Sequence, residues 1–159
     1  MTIQYNPLLT DAEYKDARYD VILWLEEGGV EKLPPYTDNP NGGYATIGAG
    51  FRIDVNLDTI LNTLGLDTTA GASAEEKTYY QQIKAKFYTD NTFTTVKLFT
   101  DAEIATLNIE LNAIMAARAA DPTISGQNKK TEFKFNDSAE VLSTFNTIVD
   151  ASKGYEKTL

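Results

Sequence analysis

The stretch from Lys32 to Ile53 constrains this chain most, because it interrupts a sequence that otherwise reads as helix. It is rich in Gly, Pro, Asn, Tyr and Thr. Proline lacks an amide donor and glycine weakens a helix, so this block must be extended or turned. Asn39-Pro40-Asn41-Gly42-Gly43 is a turn signal. It lies between Leu33–Asp38 and Tyr44-Ala45-Thr46-Ile47-Gly48-Ala49-Gly50-Phe51, which predicts a β-hairpin.

Helices are announced on both sides. Thr10-Asp11-Ala12-Glu13, Ser73-Ala74-Glu75-Glu76 and Thr100-Asp101-Ala102-Glu103 fit the capping box, in which a hydroxyl takes the third amide and a Glu reaches back. Asp137-Ser138-Ala139-Glu140 is a version with Asp as cap. The first helix is expected over 11–27, with Tyr14, Ala17, Val21, Trp24 and Leu25 as its apolar face and Gly28 as its stop. Others are expected from Asn56 to Leu64, Ser73 to Tyr88, Asp101 to Arg118 and Asp137 to about Tyr155. Leu57, Ile60, Leu61 and Leu64 form one stripe, and Ile104, Leu107, Leu111, Ile114 and Met115 form another. Val141, Phe145, Ile148 and Val149 recur along the last helix. Phe93–Phe99 and Thr131–Phe135 alternate and read as extended, and Ala120–Lys130 reads as a polar loop. The expected architecture is α+β, mostly α. A single domain spans residues 1–159, with a helix over 11–27, a hairpin lobe over 32–53 and a helical lobe over 56–159. The final Gly154-Tyr155-Glu156-Lys157-Thr158-Leu159 falls inside a continuing helical pattern, as it would in a piece of a longer protein.

Composition narrows the chemistry. The chain has no cysteine and no histidine, which removes disulfides, thiol nucleophiles, Ser-His-Asp triads and histidine zinc sites. Acid–base work must fall to carboxylates, tyrosines or lysines. A formal charge of -9 disfavours nucleic acid and anionic membrane as partners. The start MTIQYNPLLTDAEYKD lacks the basic and apolar regions of a secretory signal, and no apolar run has the length of a membrane span. A soluble protein is expected.

The sequence EEGGVEKLPPYTD, residues 26–38, carries the site. It sets Glu27 at a helix C-terminus, whose partial negative charge disfavours a nearby anion. Leu23 and Trp24 are expected to add an apolar flank, and both effects favour a protonated carboxyl. Asp38 stands at a polar turn that keeps it ionised. Two carboxyls in contrasting surroundings are what splitting acid and base roles requires, and glycosidic hydrolysis uses such a pair. Gly48 and Gly50 are expected to clear one face of the second strand for a bulky polymer, with Thr46 offering a hydroxyl to the same space.

Glu27-Gly28, then Asp38, then Thr46-Ile47-Gly48-Ala49-Gly50 resemble the phage-type lysozymes, the muramidases of T-even phages and related endolysins and secreted bacterial effectors. The resemblance covers about 25 residues. It implies a lysozyme-like fold, Glu27 as proton donor, Asp38 as base or electrostatic partner, and Thr46 as a holder of the attacking water. It implies peptidoglycan glycan strands as substrate and no metal or cofactor. The chain departs from the family at Phe51, where a histidine is usual, and in a longer interval between Asp38 and Thr46.

Plainer roles compete for the same residues. Glu26 and Glu31 read as solvated, and Asp38 is also a favoured first residue of a turn. Thr46 is an ordinary strand former. Tyr36, Tyr44, Phe51 and Arg52 either line a sugar cleft or close a small sheet. Trp24 reads as core, and Asp54 and Asp58 as the start of the second helix. Asp38–Gly43 fails as a calcium loop because Pro40 and Gly42 stand where oxygen ligands belong. A lytic transglycosylase and a non-catalytic glycan-binding or inhibitory module remain as alternatives. For an acidic monomer without a signal, the expected workplace is the periplasm or cell wall, reached by lysis or by injection such as type VI secretion. An immunity or inhibitor protein is then an expected partner.

Overall fold

A computed structural model of the chain describes residues 9–126 and 129–151. Among them the elements run α1 (Asp11–Glu27), β1 (Lys32–Thr37), β2 (Asn41–Gly43), β3 (Ala45–Gly48), β4 (Phe51–Arg52), α2 (Leu57–Thr63), α3 (Ala74–Ala85), β5 (Phe99–Thr100), α4 (Asp101–Ala120) and α5 (Ser138–Ala151). The fold is α+β and mostly α: a first helix, a small antiparallel sheet, then a helical lobe, the layout expected from the sequence. No described helix is long and apolar enough to cross a membrane.

The capping signals act as written, with one instructive exception. Thr10 and Thr100 each close a full box with Glu13 and Glu103. Ser73 accepts from the Glu76 amide at 3.1 Å, but the Glu76 carboxylate does not reach back. It turns into the lobe and binds Arg118 at 2.6 and 2.8 Å. Asp137 caps the Glu140 amide at 3.1 Å, so α5 opens at Ser138. Its expected continuation towards Tyr155, and the final residues 152–159, lie outside the described residues.

The central strand β3 is buried along its length. It pairs antiparallel with β1 on one side and β4 on the other. Pro34 and Pro35 cannot donate to a ladder, and the β1–β3 register is irregular between Lys32 and Tyr36. Carbonyls along this stretch are satisfied from elsewhere: Asn108 of α4 donates to Pro35 at 3.0 Å, and the Phe135 amide donates to Leu33 at 3.0 Å. The predicted turn does more than turn. Its last residues form β2, which pairs with β5 at the mouth of α4. The Thr37 hydroxyl and the Asp101 amide tie the same corner, to Phe99 and Pro40.

One apolar core joins sheet and helices, with Ile47, Ile60, Leu61, Leu64, Ile83, Leu111, Phe135 and Val141 fully sealed. The stripes expected on the second, fourth and fifth helices face it. The first helix differs. It buries Tyr19 and Leu23, whereas Tyr14, Val21, Trp24 and Leu25 are exposed, and Trp24 is 69% accessible. Trp24 is therefore not core. A helix with two apolar arcs must choose one, and Tyr19 wins because its ring meets Phe145 edge-on at 5.1 Å while its hydroxyl reaches Glu31. Glu31, read as solvated, accepts from both Tyr19 and Ser138 and pins α1 to α5. Thr131–Phe135 forms no strand, and of Phe93–Phe99 only the Val96 bridge and Phe99 are extended. The third helix stops at Ala85, before Tyr88, as Phe87 turns into the core.

Candidate active site

The end of α1 and the face of the small sheet enclose a cavity of about 460 Å³. Glu26, Glu27, Asp38 and Thr46 line it, together with Lys32, Tyr36, Gly50 and Arg52. Gly28 takes the left-handed conformation (φ 65°) and, with Gly29, returns its amide to the Leu23 carbonyl. The chain can then double back, so β1 runs beside the residue that ends the helix.

Register explains the opposite wall. Tyr36 pairs with Thr46 across β1–β3, and Thr46 pairs with Arg52 across β3–β4. Directly paired residues share a face, so Tyr36, Thr46 and Arg52 form a row. Lys32, beyond the irregular stretch of the β1–β3 register, lines the same cavity. Asp38 follows β1 at the exposed rim. Its loop closes because Gly43 has no side chain: a Cβ there would overlap the Asp38 carboxylate and lie 2.5 Å from the Asn39 nitrogen.

Glu27 is sheltered, its side chain 10% exposed, but not by the apolar wall expected from Leu23 and Trp24. Leu23 faces the core and Trp24 faces water. The Tyr36 hydroxyl donates to Glu27 Oε1, and Lys32 Nζ lies 3.3 Å from Oε2. The same ammonium sits 4.0 Å from the centre of the Tyr36 ring. Burial, followed by the bond to Glu27, drives the Tyr36 phenol far above its ordinary value, so it remains a donor. Tyr36 is thus in the site, with one ring face covered by Lys32 and its hydroxyl held by Glu27.

Thr46 is buried, lines the cavity and gives its hydroxyl proton to the Tyr44 carbonyl at 3.0 Å, so that its oxygen retains the capacity to accept. Arg52 is fixed by Asp54 through Nε at 3.2 Å and a terminal nitrogen at 2.7 Å, and it stacks on Tyr44 at 3.5 Å. The Asp54 bond is the main cause that raises the Arg52 guanidinium further. Asp54 therefore belongs to the site's support rather than to the second helix. Tyr44 serves as the platform under Arg52. Asp58 does stand in the first turn of α2 and accepts from Tyr80 at 2.7 Å.

Three expected binding residues do not line the cavity: Tyr44, which lies under Arg52, and Phe51 and Gly48. Phe51 is buried against Phe135 and Phe145, ring centres 6.4 and 6.3 Å away. Gly48 has φ +70°, and a Cβ on it would meet Phe51 and Phe135 at 2.9 and 3.0 Å. That left-handed turn breaks the alternation that was to put Gly48 beside Thr46 on an open face. Gly50 does border the site, its missing Cβ 3.7 Å from Glu27 Oε1.

Sequence reasoning passed over Lys32 and Asp54. Lys32 lay outside the strand expected over Leu33–Asp38 and reaches the site across an irregular stretch of pairing, which the sequence does not announce. Chemically the assembly offers a sheltered carboxyl, an exposed carboxylate, an inward hydroxyl and two cations around one opening. The chain matches no family model, no curated protein and no solved structure, so these residues themselves carry the functional reading.

Proposed function

We propose that this protein is a peptidoglycan hydrolase, a muramidase cleaving the β-1,4 bond between N-acetylmuramic acid and N-acetylglucosamine. The observation that carries the reading is the shared cavity of Glu27, Asp38 and Thr46, the three residues on which the lysozyme resemblance rests. Their surroundings suit divided roles. Glu27 is enclosed beside Tyr36 and Lys32 and Asp38 is open to water at the rim, and the proposal gives the first the part of the acid and the second that of the base.

In the proposed reaction Glu27, once parted from Lys32 and carrying a proton taken from solvent, gives that proton to the glycosidic oxygen as the C1–O bond breaks. A water held by Thr46 adds to C1, and Asp38 takes the proton that this water releases. The products are two shorter glycans. Glu27 is left as a carboxylate and Asp38 as an acid, and exchange with solvent restores both. The positive charge developing on the sugar ring is steadied by the negative Asp38. The lysozyme resemblance favours inversion at C1.

The substrate and the charge of -9 together suit thin periplasmic peptidoglycan, with delivery by lysis or injection. An immunity protein covering the cavity belongs to the same proposal.

The test is a muropeptide digest of purified sacculi by wild type, Glu27→Gln and Asp38→Asn, read by mass spectrometry. Hydrated reducing ends from wild type alone support hydrolysis. Anhydromuramyl ends would assign a lytic transglycosylase instead. Equal activity in Glu27→Gln removes Glu27 as the acid, and binding of sacculi without cleavage by any of the three would assign a glycan-binding module.

A further inference from the structure

The two cations of the cavity are held in different ways. Arg52 has its Nε and one terminal nitrogen on Asp54 and its plane on Tyr44. Those contacts fix it in place. Among the described residues Lys32 has one ionic partner, Glu27 Oε2 at 3.3 Å, and its side chain is 51% exposed. A lysine on a four-carbon stem changes partner at little cost.

The atom that Lys32 covers matters. Tyr36 already binds Glu27 Oε1, so Oε2 is the oxygen left to face a substrate. In the free protein Lys32 occupies it. A neutral glycan offers this ammonium no better partner. A strand with a free carboxylate near the bond to be cleaved does, and drawing Lys32 onto that carboxylate uncovers Oε2. Of the other ionised groups lining the cavity, Glu26 and Asp38 are acids that repel such a strand, and the cation Arg52 is already held by Asp54. Lys32 is thus the movable group able to welcome an anion there.

We propose that Lys32 makes this cavity selective for glycan strands carrying a carboxylate beside the scissile bond, by exchanging Glu27 for that carboxylate. Lys32 is a specificity residue in this account, acting on the reaction through Glu27, and the account rests on the muramidase reading. Arginine in its place keeps the charge, and methionine keeps the stem and loses it.

The experiment compares purified sacculi in native form with the same sacculi after chemical amidation of their carboxylates. Values of kcat/KM are measured for wild type, Lys32→Met and Lys32→Arg. Wild type is expected to prefer native sacculi roughly tenfold, the scale of one hydrogen bond to a charged group. Lys32→Met is expected to treat the two alike, mostly by gaining on amidated material, and Lys32→Arg to restore the preference. An undiminished preference in Lys32→Met overturns the proposal while leaving the muramidase reading intact, and so does a wild type without preference. If wild type cleaves neither substrate, the muramidase reading falls, and co-sedimentation with the same two preparations judges Lys32 alone. A binding preference for native sacculi that Lys32→Met abolishes supports anion selection, and its persistence in that variant overturns it.

Discussion

Glu27–Lys32 and Glu76–Arg118 are both carboxylate–cation pairs, and the protein treats them in opposite ways. Glu76 and Arg118 are 5% and 4% exposed, meet through two bonds of 2.6 and 2.8 Å, and are held further by the Asp67 amide and the Gly65 carbonyl, although one terminal nitrogen of Arg118 is buried without a hydrogen-bond partner among the described residues. Glu27 and Lys32 meet once, at 3.3 Å, in a cavity open to water. A sealed pair leaves a stranded charge if either partner is lost, so it holds structure. An open pair has water and ligands as competitors, so it is weak as a brace and available for chemistry. Residue type is nearly the same in both places, and burial with backbone contacts decides the use.

The largest expected effect breaks the open pair. Glu27→Gln lowers cleavage of sacculi by about 10²–10⁴-fold, the range of general acid catalysis, while thermal denaturation moves little. A loss of activity that merely tracked unfolding would make the two pairs equivalent. Arg118→Met should do the reverse. It strands Glu76 and costs about 3–5 kcal/mol in urea unfolding, with activity per folded molecule retained. A cost below about 1 kcal/mol would mean that the sealed pair braces no more than the open one.

Gly43→Ala sharpens the picture of the open region, because its new Cβ must displace Asp38 and the Asn39 backbone. It is expected to cost about 1–3 kcal/mol, the scale of overpacking, and to lower turnover more than substrate affinity. Unchanged kinetics would argue against Asp38 as a catalytic group.

Smaller still is the acid response of the helix caps, which serve both regions. Bonds from the Thr10 and Thr100 amides, then their hydroxyls, hold the Glu13 and Glu103 carboxyls below the ordinary 4.5. A depressed folded value means the stabilisation is present above 4.5 and is lost as pH falls through the lower folded value. The melting temperature should therefore drop on acidification below that point, and the Glu13→Gln, Glu103→Gln double variant should show a shallower drop. Trp24→Ser closes the series with a change within about 0.5 kcal/mol, as for an exposed side chain, where a core tryptophan would cost several-fold more.

How far the sequence could be read depended on the range of the interaction. Caps at Thr10 and Thr100, the stop at Gly28, and the stripes of the second, fourth and fifth helices are local signals, and they hold. The first helix defeated the same reasoning, since period alone cannot rank two apolar arcs. Within the site, Glu27, Asp38 and Thr46 were legible as a pattern and do gather round one cavity. Gly48 was misassigned because alternation was carried through a residue of positive φ, and Phe51 takes the plainer of its two expected roles, closing the small sheet against the helices. Glu76 was given to a cap because its partner is 42 residues away.

By itself the sequence determined the helix starts and stops, the break into a sheet after Glu27, and the supply of carboxyls in a chain without histidine or cysteine. Those follow from backbone sterics, nearby hydrogen bonds and residue chemistry, which neighbours in the chain settle among themselves. Tertiary structure alone decided which face of α1 is buried, which carboxylate is sealed with Arg118, and that Lys32 and Tyr36 hold Glu27. These are contests between partners distant in sequence or aligned across strands, and close packing and desolvation settle them once the elements have met.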